Sequence, residues 1–203
     1  MFQQQIIKIM RKLGILFAIF FLAVFAQAQS TNWGFDATHS TVRFAVSHMV
    51  ISEVEGNFSK YEGTVTTSKA DFSDAKIDFT IDVSSINTND ADRDDHLKNE
   101  DFFDVSKYPN ISFKSKSMES VGGNKFKLTG DFTMHGVTRE IILDAKYGGT
   151  ITDPWGNVKA GFKISGTIDR TLWGLKYNST MDTGGLMIGE EIDIVCKMEL
   201  IKL

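Results

Sequence analysis

The sequence predicts an all-β chain that closes as an antiparallel barrel of about eight strands, with one short helical flap. Three observations carry this. Alternating apolar and polar residues recur at hairpin spacing along almost the whole chain after residue 28. Only two prolines occur in 203 residues, so long strands can run without the breaks that proline forces on a hydrogen-bonded ladder. The period changes in one place, Asn89–Pro109, where charged residues replace the alternation. Long strands with one apolar parity suit a closed barrel better than a short-stranded sandwich.

The first 28 residues stand apart. Lys8, Arg11 and Lys12 precede the apolar run Leu13–Phe25, and Ala26-Gln27-Ala28 is a small-x-small site. This is the layout of a cleaved signal peptide, with the mature chain starting near Gln29. The run is short for a membrane span and no Cys sits at the cleavage site, so no permanent membrane anchor is expected. The expected location is the periplasm or outside the cell. Cleavage leaves 175 of 203 residues, with 19 Lys+Arg against 26 Asp+Glu, a net charge of −7. That balance argues against nucleic acid, and against an anionic membrane surface as a primary partner. The single Cys196 forms no internal disulfide, so residues 29–203 are expected to form one domain held by its core or by an oligomer interface.

From there the elements follow in order. Trp33–Ala37 predicts a short first strand. Val42, Phe44, Val46 and His48 alternate with polar or small residues. Val54–Thr67 predicts a long strand bent at Gly56 and Gly63. Ile77, Phe79, Ile81 and Val83 alternate with Lys76, Asp78, Thr80 and Asp82, a strand with one wet face. In the flap, Asn89 is positioned to cap a helix with Asp92 in its first turn. Asn99 can cap a second turn carrying Phe102 and Phe103, and Pro109 ends the episode. Two adjacent aromatics need a dry place. The mouth of the barrel would supply it, though a solvated connection whose phenylalanines finish the core fits equally well.

After Pro109, Ile111 and Phe113 share one parity, and Gly122-Gly123-Asn124 marks a turn. Phe126, Leu128 and Phe132 lead to a tight hairpin at His135-Gly136, with the glycine supplying positive φ. Val137–Tyr147 runs back to Asp153-Pro154-Trp155-Gly156, a β-turn. Phe162, Ile164 and Ile168 form the next strand. Thr171–Gly189 is weakly patterned, and Ile192, Ile194, Cys196, Met198 and Leu200 close the chain as a last alternating strand. Eleven of the 16 phenylalanines fall after Ala28, most of them on the inward parity. An eight-stranded barrel can fill its inside with such side chains or enclose one ligand.

Catalytic patterns are scarce. There is no G-x-S-x-G, Walker A loop, C-x-x-C or H-E-x-x-H, and no spacing singles out a triad. No catalytic residue is therefore assigned. Cys196, on an apolar parity, reads as a buried small hydrophobe. Asp36, His39, His48, Asp95 and His96 could gather at one barrel end as a metal site. The spacing carries no metal signature, and hydrogen bonding of flap and loops to the rim is the simpler role, so no metal and no cofactor is expected. Arg170, with Arg43 and Arg93, could meet an anionic head group.

Taken together, the motifs resemble a known family. Asp36-x-x-His39-Ser40-x-Val42-x-Phe44-x-Val46-x-His48, Gly56-x-Phe58, Asp92-Arg93-Asp94-Asp95-His96-Leu97, Asp101-Phe102-Phe103-Asp104 and Tyr108-Pro109-x-Ile111-x-Phe113 are similar to the YceI-like family. Leu128-x-Gly130-x-Phe132-x-Met134-x-Gly136-Val137-Thr138 and Phe162-x-Ile164-x-Gly166-x-Ile168-x-Arg170 continue the likeness in order, from about Trp33 to Leu200. His135 departs from it, standing where Asn is expected before the turn glycine. The resemblance implies an extended lipocalin-like barrel in the periplasm, usually a homodimer, whose apolar cavity holds a polyisoprenoid or another long-chain amphiphile.

On that basis the expected ligand-binding residues are Phe44, Val46, Phe58, Phe79, Ile81, Phe102, Phe103, Phe113, Leu128, Phe132, Phe162, Ile164, Ile168 and Arg170. The expected function is a non-enzymatic carrier of a quinone or polyprenyl lipid. The Met-rich stretch Met181–Met187 suits an adaptable apolar ligand. Two alternatives stand beside it: an enzyme acting on a lipid head group through the His/Asp set, and a filled barrel serving as a structural or stress-response partner.

Overall fold

The computed structural model describes Gln3, residues 29–179 and residues 186–203. The expected signal peptide therefore lies outside the described residues apart from Gln3, as does Met181. The wall is built from β1 (Thr31–Phe35), β2 (Thr41–His48), β3 (Ser52–Phe58), β4 (Tyr61–Thr67), β5 (Lys76–Asp82), β6 (Ile86–Asn87), β7 (Asn110–Gly122), β8 (Lys125–Met134), β9 (Val137–Thr152), β10 (Val158–Asp169) and β11 (Ile188–Lys202). The single described α-helix, α1 (Ala91–Lys98), falls in the predicted flap.

Every pairing is antiparallel, and the sheet closes because β11 pairs with β1 as well as with β10 and β2. β1 and β2 are two halves of one wall strand, both lying on the same edge of β11. β3 and β4 are likewise halves of the next, pairing with β2 and β1 in turn. β5 and β6 continue the series against β4 and β3. Counted so, the barrel has eight strands in simple up-and-down order, as the pattern predicts.

The three divided strands are interrupted side by side, which creases one wall. Asp36–Ser40 separates β1 from β2, Ser59–Lys60 separates β3 from β4, and a short 3-10 turn, Val83–Ser85, separates β5 from β6. Backbone groups freed at the crease find partners there. Lys60 N–H donates to Ser85 Oγ at 3.0 Å and Asp82 N–H to Lys60 C=O at 3.0 Å. Asp36 N–H donates to Glu199 C=O at 2.8 Å, bridging the gap in the β11 pairing.

The bend expected at Gly56 and Gly63 is therefore misplaced. The break lies between them, and both glycines serve close packing. A Cβ at Gly56 would stand 2.3 Å from the Phe44 ring, and one at Gly63 would stand 2.3 Å from the Asp78 carbonyl. Gly130 likewise seats Phe113, whose ring would be 2.4 Å from an added Cβ. Inward glycines thus let rings lie flat against the opposite strand.

At the β8–β9 hairpin both loop residues turn left-handed, His135 at φ 49° and Gly136 at φ 74°, with Met134 paired to Val137. This is the two-residue turn that matches strand twist. Gly136 is also needed for space, because Tyr108 packs over it. In the flap, Asp90 rather than Asn89 caps α1. Its side chain accepts from Arg93 N–H at 3.0 Å, while Asn89 sits in the left-handed region at φ 61°. Asn99 closes the helix and caps the following turn, accepting from Asp101 N–H at 2.8 Å.

Candidate ligand-binding site

Inward side chains leave the barrel unfilled. A cavity of about 210 Å³ runs from the flap to the opposite end, lined almost wholly by apolar groups. Phe44, Val46, Ile164, Ile192 and Ile194 face it and are only half-buried. In a close-packed interior such inward residues would be fully covered. Among the two roles open to a barrel of this size, the geometry is that of an enclosing one.

The base is sealed by an aromatic plug. The loop between β4 and β5 folds under the barrel because the Asp74 carboxylate collects the N–H groups of Ser68 and Lys69 and the hydroxyls of Thr67 and Ser68. Those hydrogen bonds, led by the Ser68 and Thr67 hydroxyls, hold the Asp74 carboxyl well below the usual range. Phe72 takes a left-handed backbone, φ 61°, and is 2 % exposed. Its ring lies 5.1 Å from Trp33, 5.1 Å from Phe162 and 5.5 Å from Tyr147.

The other end is covered more loosely. None of the eight residues of α1 is fully buried. The helix is tied to the wall by Thr88, whose Oγ1–H donates to Asp94 Oδ1 at 2.6 Å and accepts from Arg93 Nε–H at 2.8 Å. The turn after α1 inserts Phe102, and Phe103 lies against Phe58 with centroids 6.3 Å apart. His96 stacks edge-on against both Phe102 and Tyr177 at 5.0 Å, joining the flap to the segment after β10. Few buried contacts make this the end that opens at lower cost.

All fourteen expected residues lie on the cavity wall. Phe44 and Val46 come from β2, Phe58 from β3, Phe79 and Ile81 from β5, and Phe113 from β7. Leu128 and Phe132 come from β8, and Phe162, Ile164 and Ile168 from β10. Phe102 and Phe103 close the flap end. Arg170 is 3 % exposed at the head of a 3-10 turn, where its guanidinium donates to the carbonyls of Leu175, Gly189 (2.8 Å) and Ile188 (3.4 Å). Burial pulls its pKa below the ordinary value, but a guanidinium stays charged. It brings a positive group to an otherwise apolar wall. Arg43 points outward from β2, and Arg93 is committed to Thr88 at 2.8 Å, so of the three arginines Arg170 alone is both buried and inward.

The expected site omits much of the wall. Ile192, Ile194, Cys196 and Met198 from β11 face the cavity, and the same alternation that marks this strand would have found them. Cys196 is buried, and burial pushes its thiol up to about 12. Phe72 has no periodic signal, since it sits in a loop among Asp71, Ser73 and Asp74.

The His/Asp set is not one cluster. Asp36 and His39 lie at the crease, near the end from which β10 starts. There Lys159 Nζ–H donates to Glu199 at 2.7 Å and to Asp36 at 3.1 Å, and His39 Nδ1 meets Asp36 at 2.9 Å. Asp36, His39 and Glu199 are close enough together to ligate an ion, but the Lys159 ammonium already supplies the cation. Hydrogen bonds from Thr38, His39 and Lys159 hold the Asp36 carboxyl well below its usual range. His96 belongs to the flap, bonded to Asp101 at 3.0 Å, and His48 ends β2. The arrangement the enzyme alternative required is absent among the described residues.

The profile of the YceI-like domain family matches residues 33–200. A UPF0312 protein of Staphylococcus aureus strain USA300 is 35 % identical over 170 residues, spanning 83 % of this chain and 96 % of its own. The Campylobacter jejuni YceI protein has a similar crystal structure, with TM-score 0.65 and 31 % identity over 77 % of this chain and 90 % of that one. Burkholderia cenocepacia BcnA (TM-score 0.71, 24 % identity, 81 % and 98 % covered) shares the fold. So does a polyisoprenoid binding domain from Saccharophagus degradans implicated in plant cell wall breakdown, with TM-score 0.62 and 16 % identity over 84 % and 98 %.

Proposed function

The chain belongs to the YceI-like family, and from that premise we propose that it is a secreted or periplasmic binding protein that carries or sequesters an isoprenoid lipid. A quinone, a polyprenyl compound or a similar long-chain amphiphile would lie in the barrel cavity. The observation that carries this reading is the length of uninterrupted apolar wall, closed at the base by Phe72 and loosely covered at the flap. The binding domain from Saccharophagus degradans supports it by fold and by the ligand class in its description. The signal-peptide pattern of residues 1–28 supports export, and the homodimer implied by the family resemblance remains part of the proposal.

The dimensions set the size of what fits without expansion. In a filled volume each water-sized group takes about 30 Å³, so 210 Å³ accepts on the order of seven such groups. That is about one or two five-carbon isoprene units, and a longer tail enters as the loosely covered flap end gives way. Burying three units contributes roughly 12 kcal/mol at about 0.8 kcal/mol per group. Association and ordering cost at least about 4 kcal/mol. Roughly 8 kcal/mol remains before the cost of opening, so a three-unit tail is expected to bind no tighter than about micromolar. The tail would thread toward Phe72, leaving the polar head at the flap end, where Arg170 sets a positive charge behind the wall.

Native mass spectrometry of protein purified without detergent from its host, followed by organic extraction, tests this. A discrete added mass that extracts as a quinone or polyprenyl lipid supports the carrier. Protein that is empty, and that also fails to take up added quinone, overturns it. Sedimentation of the same preparation tests the dimer.

A further inference from the structure

The β2–β3 hairpin tip is built against its own turn chemistry. His48 pairs with Ser52, leaving Met49, Val50 and Ile51 as the loop. Met49 has φ 53° and Val50 φ 65°. The left-handed region favours Gly, Asn or Asp, and a β-branched valine there is strained. Polar turn residues would cost less and would face water better. Instead, Val50 is 73 % and Ile51 87 % exposed, with Met49 39 % exposed, so the strain at Val50 brings no packing inside this chain. Strain retained where the fold gains nothing from it points to a role outside the fold.

The tip's position says what that role is. It stands at the flap end of the barrel, where Met49 N–H donates to the Met187 carbonyl at 2.8 Å beside exposed Leu186. Tyr177, which stacks on the flap residues His96 and Phe102, is also partly exposed on this rim. The apolar tip is thus continuous with the rim through which a ligand would pass. At the opposite end Trp155 stands among Asp153, Pro154 and Gly156, and Val121, Ile151 and Leu203 are exposed there on separate strands and turns.

We propose that Met49-Val50-Ile51 docks the flap end of the barrel on a lipid surface of zwitterionic head groups by inserting its apolar side chains at the interface. Insertion would cover the three residues that this chain leaves in water. Glu53 and Glu55 on β3 and Glu190 and Glu191 on β11 lie on the two strands that flank the tip strand β2. That balance disfavours an anionic surface and leaves the contact chiefly apolar. The inference rests on the carrier reading only for its purpose, since docking there would place the mouth where the ligand dissolves.

Flotation with phosphatidylcholine vesicles tests it, using protein purified from its own host, beside the double variant M49N/V50G and, separately, I51N. Wild type is expected to float with the vesicles, with little loss on raising salt. M49N/V50G suits positive φ at both positions, so its melting temperature should hold or rise while its vesicle-bound fraction falls about tenfold. I51N should weaken flotation without touching the strained pair. Uptake of a soluble apolar fluorescent probe should be the same in all three, which separates failure of docking from failure of the carrier reading. Wild type that does not float, or M49N/V50G that floats equally well, overturns the proposal. So does a dimer that the tip variant abolishes while wild type ignores vesicles, because a second copy would then be what covers the tip.

Discussion

Replacing Gly56 by alanine should shrink the cavity without unfolding the barrel. The added Cβ would lie 2.3 Å from Phe44 Cζ, 2.7 Å from Phe44 Cε1 and 2.9 Å from Thr88 Cγ2. Carbon atoms settle at about 3.5–4.0 Å, so the edge of the ring must retreat by roughly 1.2–1.7 Å. Phe44 is half-buried on the cavity wall, so it can retreat into open space. Overpacking a core costs about 1–3 kcal/mol, and the low end applies where a void absorbs the strain. Exchanging glycine for alanine within a strand offsets roughly 0.5–1 kcal/mol. Stability should change by no more than about 1 kcal/mol. The displaced ring occupies the room of one or two methylene groups, at about 0.8 kcal/mol each. Affinity for a C15 or C20 prenol should therefore fall about 4- to 15-fold, as read by titration calorimetry. In a Phe44→Ala background, where no ring stands over residue 56, adding Gly56→Ala should leave affinity unchanged, since the ring transmits the effect. Unchanged affinity in Gly56→Ala alone, or the same fall when it is added to Phe44→Ala, would refute the reasoning. Gly63→Ala is the contrast, because its Cβ meets the Asp78 backbone oxygen at 2.3 Å. No side chain can swing aside there, and stability should drop by about 1–3 kcal/mol.

Three further outcomes are expected. The Asp36 carboxyl is held below its ordinary value by Thr38, His39 and Lys159; a depressed carboxylate contributes stability that is complete above the unfolded value of about 3.9 and is lost as pH falls through the folded one. Wild-type melting temperature should thus fall below about pH 4 more steeply than that of Asp36→Asn, and equal slopes would show that the Lys159 network contributes nothing to acid stability. With its thiol raised to about 12, Cys196 should react with a water-soluble thiol reagent at pH 8 about a thousandfold more slowly in native than in denatured protein, whereas comparable rates would mean that the wall at β11 opens readily. Thr88→Val removes the hydroxyl that Asp94 and Arg93 share and leaves each only its bond to the Thr88 main chain, at a local cost of about 0.5–1.5 kcal/mol; stopped-flow should record faster ligand release, and an unchanged rate would show that exit does not pass the flap.

The wall was legible in the sequence because a strand with one apolar face writes its orientation every second residue. Ile77-Phe79-Ile81 and Phe162-Ile164-Ile168 needed no tertiary information to be turned inward. The crease was not legible, because it depends on cross-strand bonds between Ser59–Lys60 and Ser85, whose residues lie about 25 positions apart. Nor was the plug. Phe72 points inward because Asp74 gathers four donors around a left-handed backbone, and a loop of Asp and Ser around one Phe reads as solvated. Gly56 and Gly63 misled for a related reason: a glycine signals that a Cβ is unwelcome without saying whether conformation or a neighbouring ring forbids it. The histidines illustrate the same limit, since spacing alone could not place His39 at the crease and His96 on the flap.

The closed ring has one seam, and it shapes how the protein must reach its structure. Every neighbouring pair of wall strands is also a neighbouring pair in the chain, except where β11 meets β1 and β2, with Trp33 opposite Lys202 and Val42 opposite Cys196. Hairpins can form early and locally, whereas the pairs of that last joint close loops of 140 residues (His48 to Ile188) or more. The chain entropy lost grows only logarithmically with loop length, but it must be spent before any seam contact rewards it, which raises the barrier. Until then, two bare edges face outward and invite mispairing. Leu203 N–H donates to Asn32 C=O at 2.9 Å, so a short linker there, with new ends cut at the exposed Gly122-Gly123 turn, would make the seam an ordinary hairpin. The finished barrel would be the same, and the refolding rate would report how much of the barrier the seam had been.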